Sequence, residues 1–80
     1  MLTTGPTPVE AAKRVIIILA EILHREPGQP VRLDAVQNEF LKDAWALIDF
    51  QAGLAFAADH AWVELRDGKI VLTNQGVATV

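Results

Sequence analysis

The sequence predicts a mainly α domain, three helices closed by a small β-hairpin. Three observations carry the prediction. Ala supplies 12 of the apolar residues, and the chain is 51% hydrophobic with only 21% charged residues, which favours packed helices over disorder. Apolar residues recur three and four apart over two long stretches. Near the end the period changes to two around an Asp67-Gly68 pair. The 80 residues suffice for one domain, and such a short chain needs a dense core or a staple. No Cys is present, and two His cannot build a structural zinc site alone, so the core must be apolar side chains and no metal or other cofactor is expected.

Met1–Pro6 is small, polar and Gly/Pro-containing, and residues 1–7 are expected to form a loose tail ahead of a single domain over 8–80. Thr7-Pro8-Val9-Glu10 is a helix start: Thr7 can accept from the Glu10 N–H, Glu10 can reach back, and Pro8 lacks only a donor that a first turn leaves unused. The helix should run to about Arg25, where Pro27 and Gly28 stop it. Its apolar stripe is Ala12, Val15, Ile16, Leu19, Ile22 and Leu23, with Glu10, Lys13, Arg14, Glu21, His24 and Arg25 opposite. Ile17 falls among the charged residues and Ile18 at the stripe's edge, which makes them either a lone exposed apolar residue and peripheral core or a small contact surface for a second subunit.

Pro30-Val31-Arg32-Leu33 is extended in character, and Asp34 is expected to cap a second helix with Gln37 at the reciprocal position. From Val36 the apolar positions recur at Phe40, Ala44, Leu47, Phe50, Leu54, Ala57 and Ala61, so periodicity alone accepts one helix from Asp34 to His60. A domain of this size cannot easily bury so long a stripe. A break near Asp43 or Asp49, either of which could cap, divides it into helices over 34–42 and 48–60, with only Gly53 weakening the latter. Trp45 lies near the connection, as a lid over the core or an interface anchor. Trp62–Arg66 and Lys69–Thr73 read as strands about an Asp67-Gly68 turn, and Thr73 as the cap of a last turn.

The order of helix, short strand, helix, helix, hairpin resembles the winged helix-turn-helix fold. The residues carrying the resemblance are Pro30-Val31-Arg32-Leu33-Asp34, then Gly53-Leu54-Ala55-Phe56-Ala57 leading into Ala61-Trp62-Val63-Glu64-Leu65. The ending Leu72-Thr73-Asn74-Gln75-Gly76 is similar to the L-T-x-x-G close of many small bacterial winged-helix domains. One departure is Ala61, where many such domains carry Gly; a left-handed Ala there would cost about 1 kcal/mol or more. The resemblance implies DNA binding through the third helix and the hairpin, with Lys42, Gln51, Arg66 and Lys69 as the residues here able to touch phosphates or base edges.

Charge opposes that implication. Net charge is −3, and all of it lies in residues 27–61, the presumed reading half; residues 48–60 hold Asp49 and Asp59 but no Lys or Arg. An Ala-rich, weakly charged helix suits another use, in which Ala52 and Ala55 let a partner surface approach closely. The expected function is therefore a non-catalytic interaction module that meets another protein or its own copy, with a DNA-binding regulator as the alternative. An enzyme is not expected: Cys, Tyr and Ser are all absent, and the carboxylates follow no metal or paired-acid spacing. The longest strongly apolar run, Val15–Ala20, falls well short of the about 20 residues of a membrane span, so no membrane partner is expected and the cytoplasm is the default compartment.

Overall fold

The computed structural model describes residues 7–42 and 45–79. Most of the expected tail, residues 1–6, lies outside them. The first helix, α1 (Pro8–Ile17), starts as its capping box dictates: the Thr7 N–H donates to Glu10 Oε1 at 2.8 Å, and the Glu10 N–H to Thr7 Oγ1 at 3.3 Å. It continues without a break into a π-helical turn, Ile18–Ile22, in which the Leu23 N–H reaches the Ile18 carbonyl at 2.8 Å.

That wider turn changes the expected stripe. Each π turn consumes one more residue than an α turn, so side chains beyond it fall behind the α-helical stripe. Ile22, expected inside, is 40% exposed, whereas Ile18, whose N–H still reaches the Arg14 carbonyl as in an α-helix, is wholly buried in the core. The helix also ends earlier than Arg25. Leu23 caps it, His24 turns left-handed (φ 53°), and the Arg25 N–H returns to the Leu19 carbonyl at 2.8 Å.

Strand β1 (Pro30–Arg32) leads directly into α2 (Leu33–Leu41). Asp34 is not the cap. The cap position is Arg32, whose side chain makes no capping bond, and Asp34 sits in the first turn, where its charge suits the helix dipole and pairs with Arg32 at 2.9 Å. The long apolar pattern does break. After α2 the chain re-enters helix as α3 (Leu47–Asp59), capped at Ala46, with Asp49 accepting the Ala46 N–H at 3.1 Å from inside the first turn. The break resets the helical phase, so Leu47 (44% exposed) and Ala61 leave the expected core stripe, while Val36, Phe40, Phe50, Leu54 and Ala57 are buried. Asp43 and Ala44 lie outside the described residues.

Strands β2 (Val63–Arg66) and β3 (Lys69–Leu72) form the expected hairpin, with Asp67 (φ 47°) and Gly68 (φ 76°) both left-handed, as a primed two-residue turn requires. β3 also pairs with β1, giving a three-stranded antiparallel sheet in the order β1-β3-β2. Helix α4 (Asn74–Thr79) closes the described chain.

Two close approaches hold these parts together. α1 packs chiefly on α3, and Gly53 is the point of contact: a Cβ there would stand 2.6 Å from both the carbonyl carbon and the Cβ of Ala11. At the other end, Thr73 Oγ1 accepts from the Gly76 N–H at 3.0 Å while lying 2.6 Å and 2.9 Å from the carbonyls of Ala61 and Trp62, to either of which its hydroxyl can donate. A Cβ on Gly76 would meet the Trp62 carbonyl oxygen at 2.3 Å. The Leu72-Thr73-x-x-Gly76 motif thus has a local reason: Leu72 fills the core, Thr73 bolts α4 to the start of β2, and Gly76 permits the approach. The protein is mainly helical with a small three-stranded antiparallel sheet, an arrangement compatible with a winged helix.

Candidate interaction surface

Helix α3 is apolar on both sides. Its inner side, Phe50, Gly53, Leu54 and Ala57, is buried against α1 and α2. Its outer side carries Ile48, Gln51, Ala52, Ala55 and Asp59, at helical spacings of three and four, and all are exposed. Ile48 is 72% exposed, and with its neighbour Leu47 it makes the first turn of α3 an uncovered apolar edge. No cation lies on the helix, and Asp59 is the only fully exposed charge on it.

The residues named from the sequence divide sharply. Ala52 and Ala55 lie on this exposed face. Ile18 does not belong to any surface: it is fully buried, on the side of the helix that faces the core with Val15 and Leu19. Ile17 is half-buried. Trp45 is half-buried as well, with its ring 4.8 Å from that of Phe40, which in turn packs edge-on to Phe50 at 5.2 Å. The indole covers the junction of α2 and α3, so its place is that of a lid over the core. Trp62 is buried, edge-on to Phe56 at 5.5 Å. His60 stacks on Phe56 at 4.0 Å, and its Nδ1–H donates to the Phe56 carbonyl at 2.9 Å, closing the C-terminal end of α3.

The candidate nucleic-acid contacts are spread apart. Gln51 lies on the outer face of α3, Lys42 follows α2, and Arg66 and Lys69 flank the hairpin turn. Carboxylates a few residues away neutralise most of the cations: Glu39 takes Lys42 at 2.9 Å, and Glu64 takes Arg66. Among the described residues Lys69 pairs with none. The sheet adds a residue that sequence reasoning missed. Arg32 of β1 lies opposite Lys69, which lies opposite Arg66, so three cations share one row across one face. Like charges placed opposite one another repel, and Asp34 and Glu64 relieve the two outer members. Nothing in the sequence signals that row, because it depends on β1 pairing with β3.

Ile48 was also missed, though a signal for it exists. Leu47 and Ile48 are adjacent at a helix start, adjacent residues point about 100° apart, and both cannot face the core fully. Among the described residues no group of three or more His, Cys, Asp or Glu side chains could hold a metal ion, and no helix is long and apolar enough to cross a membrane. No family model, curated protein or solved structure matches this chain.

Proposed function

We propose that the chain is a winged-helix-type, non-catalytic interaction module that docks on another protein through the outer face of α3. In this reading the Asp67-Gly68 hairpin is the wing and α3 occupies the place of a recognition helix, but its surface chemistry is not that of a phosphate binder. A single observation supports it most: the exposed side of α3 offers Ile48, Ala52 and Ala55 and not one cation. Such a face gains little from phosphates, and small side chains around one large apolar residue suit close packing against an apolar partner.

The second reading is a DNA-binding regulator, favoured by the row of Arg32, Lys69 and Arg66. One experiment separates the two. A photo-crosslinking residue placed at Ala52 should trap a protein in cells, and Ile48→Asp in the same chain should abolish the cross-link. Gel retardation of random and genomic DNA at low salt should be absent. Retardation that Lys69→Glu removes and Ile48→Asp leaves intact would establish the DNA reading instead.

A further inference from the structure

The open edge of the sheet has a feature that neither reading uses. β2 is an edge strand, bordered by β3 on one side only. Its hydrogen-bond parity follows from the hairpin. A two-residue turn makes Arg66 and Lys69 a hydrogen-bonded pair, so Glu64 and Val71 form the next such pair, and Trp62 and Thr73 the one after. The Thr73 N–H donating to the Trp62 carbonyl at 3.1 Å confirms that alternation. Glu64 and Arg66 therefore turn their backbone groups inward to β3, and Val63 and Leu65 turn theirs out to the open edge. Among the described residues no hydrogen bond reaches the outward N–H and C=O groups of Val63 or Leu65. Leu65 is also 47% exposed, one of the few large apolar side chains left uncovered.

Charge along this edge is self-complementary. Suppose a second β2 lies antiparallel beside the first, with the two-fold axis through Leu65. Leu65 then faces Leu65 of the second copy as a hydrogen-bonded pair, which exchanges both outward backbone bonds. Glu64 falls opposite Arg66 of the second copy, and Arg66 opposite its Glu64. These are non-hydrogen-bonded pairs, the class with the closer side chains, at about 4.5 Å between Cα atoms. The two Glu64–Arg66 ion pairs, each now closed within one chain, merge into a ring of four alternating charges. Parallel pairing in register would instead set Glu64 against Glu64 and Arg66 against Arg66. A run of like charges would protect an edge against every partner, whereas opposite charges two residues apart admit one partner in one register.

We infer that the β2 edge pairs with the β2 edge of a second copy of this chain, forming a continuous six-stranded sheet across a two-fold axis through Leu65. The inference does not depend on the α3 face. The contact is a four-residue strand on each side, smaller than the roughly 1,000 Å² that marks a stable interface, so association is weak and concentration-dependent.

The test uses charge reversal and sedimentation equilibrium over a wide concentration range at low salt. The unaltered chain should dimerise. Glu64→Arg alone and Arg66→Glu alone each set like charges opposite one another and should weaken dimerisation by about tenfold or more. Mixed one to one, those two variants should recover a heterodimer, because each then meets the opposite charges. The double reversal should dimerise like the parent. Ile48→Asp, on the separate α3 face, should leave dimerisation unchanged. A strictly monomeric parent, single reversals that dimerise as well as the parent, a mixture that stays monomeric, or loss of dimerisation in Ile48→Asp would each overturn the inference. None of these outcomes except the last bears on the α3 reading.

Discussion

Both faces of α3 carry apolar side chains, and their fates are opposite. The inner face holds Phe50, Gly53, Leu54 and Ala57, and the outer face holds Ile48, Gln51, Ala52, Ala55 and Asp59. Gln51 and Asp59 mark the outer face as the wetter one, but Ile48 and the two Ala residues there are as apolar as those inside. What separates them is backbone approach. At Gly53 the helix touches the main chain of α1, so that side is closed by geometry and leaves no space for even a methyl group. On the outer side no described element of the fold lies over Ile48, Ala52 or Ala55. The comparison teaches that an apolar helix face in a small domain is no proof of core: the fold covers the face it can approach closely and leaves the other for water or a partner.

Substitutions can break or sharpen that contrast. The largest effect is expected at Gly53→Ala, whose new Cβ would press on the Ala11 backbone; it should lower the unfolding free energy by about 3 kcal/mol, read as a fall in the urea midpoint. If instead the protein tolerates it, α1 and α3 are not in close contact and the two faces are equivalent. A smaller change of opposite sign is expected at the end of the helix, where Ala61 is left-handed (φ 60°). Ala61→Gly should raise stability by up to about 1 kcal/mol, because relief of the left-handed Cβ strain exceeds the glycine's added freedom in the unfolded chain. Thermal melts of the two proteins would show it as a higher midpoint. Smallest of all, Ile48→Gln should shift stability by less than about 0.5 kcal/mol while improving solubility, since it replaces a largely exposed apolar side chain. A large loss of stability there would mean that the outer face is core after all.

Much of the fold was legible in the chain because it rests on local chemistry. Thr7 and Glu10 close a capping box within three residues, Asp67-Gly68 selects a primed turn, and Thr73 caps α4. Each needs only neighbours in sequence. The misreadings came from features that local spacing cannot carry. The π turn after Ile17 moves Ile22 outward, and no periodicity rule anticipates one extra residue in a turn. Asp34 has the chemistry of a cap but sits two residues past the cap position, because the pairing of β1 with β3 and the Leu33 N–H bond to the Gly68 carbonyl at 3.0 Å set where α2 begins. The break between α2 and α3 was expected, yet the phase of α3, and with it the exposure of Leu47 and Ile48, was decided by its packing on α1.

The candidate surfaces divide the same way. Ala52 and Ala55 were visible as an uncharged helical face, and so was the absence of cations on α3. Ile48, the cation row through Arg32 and the open edge at Leu65 were not. By itself the sequence determined the helical content, the hairpin, the caps at Thr7 and Thr73 and the acidic middle of the chain, because propensity, turn chemistry and charge act over a few residues. Only the tertiary structure decided which apolar face of α3 stays open and which strand is left at the edge. Those outcomes depend on Gly53 meeting Ala11 and on β1 pairing with β3, contacts between residues more than thirty positions apart.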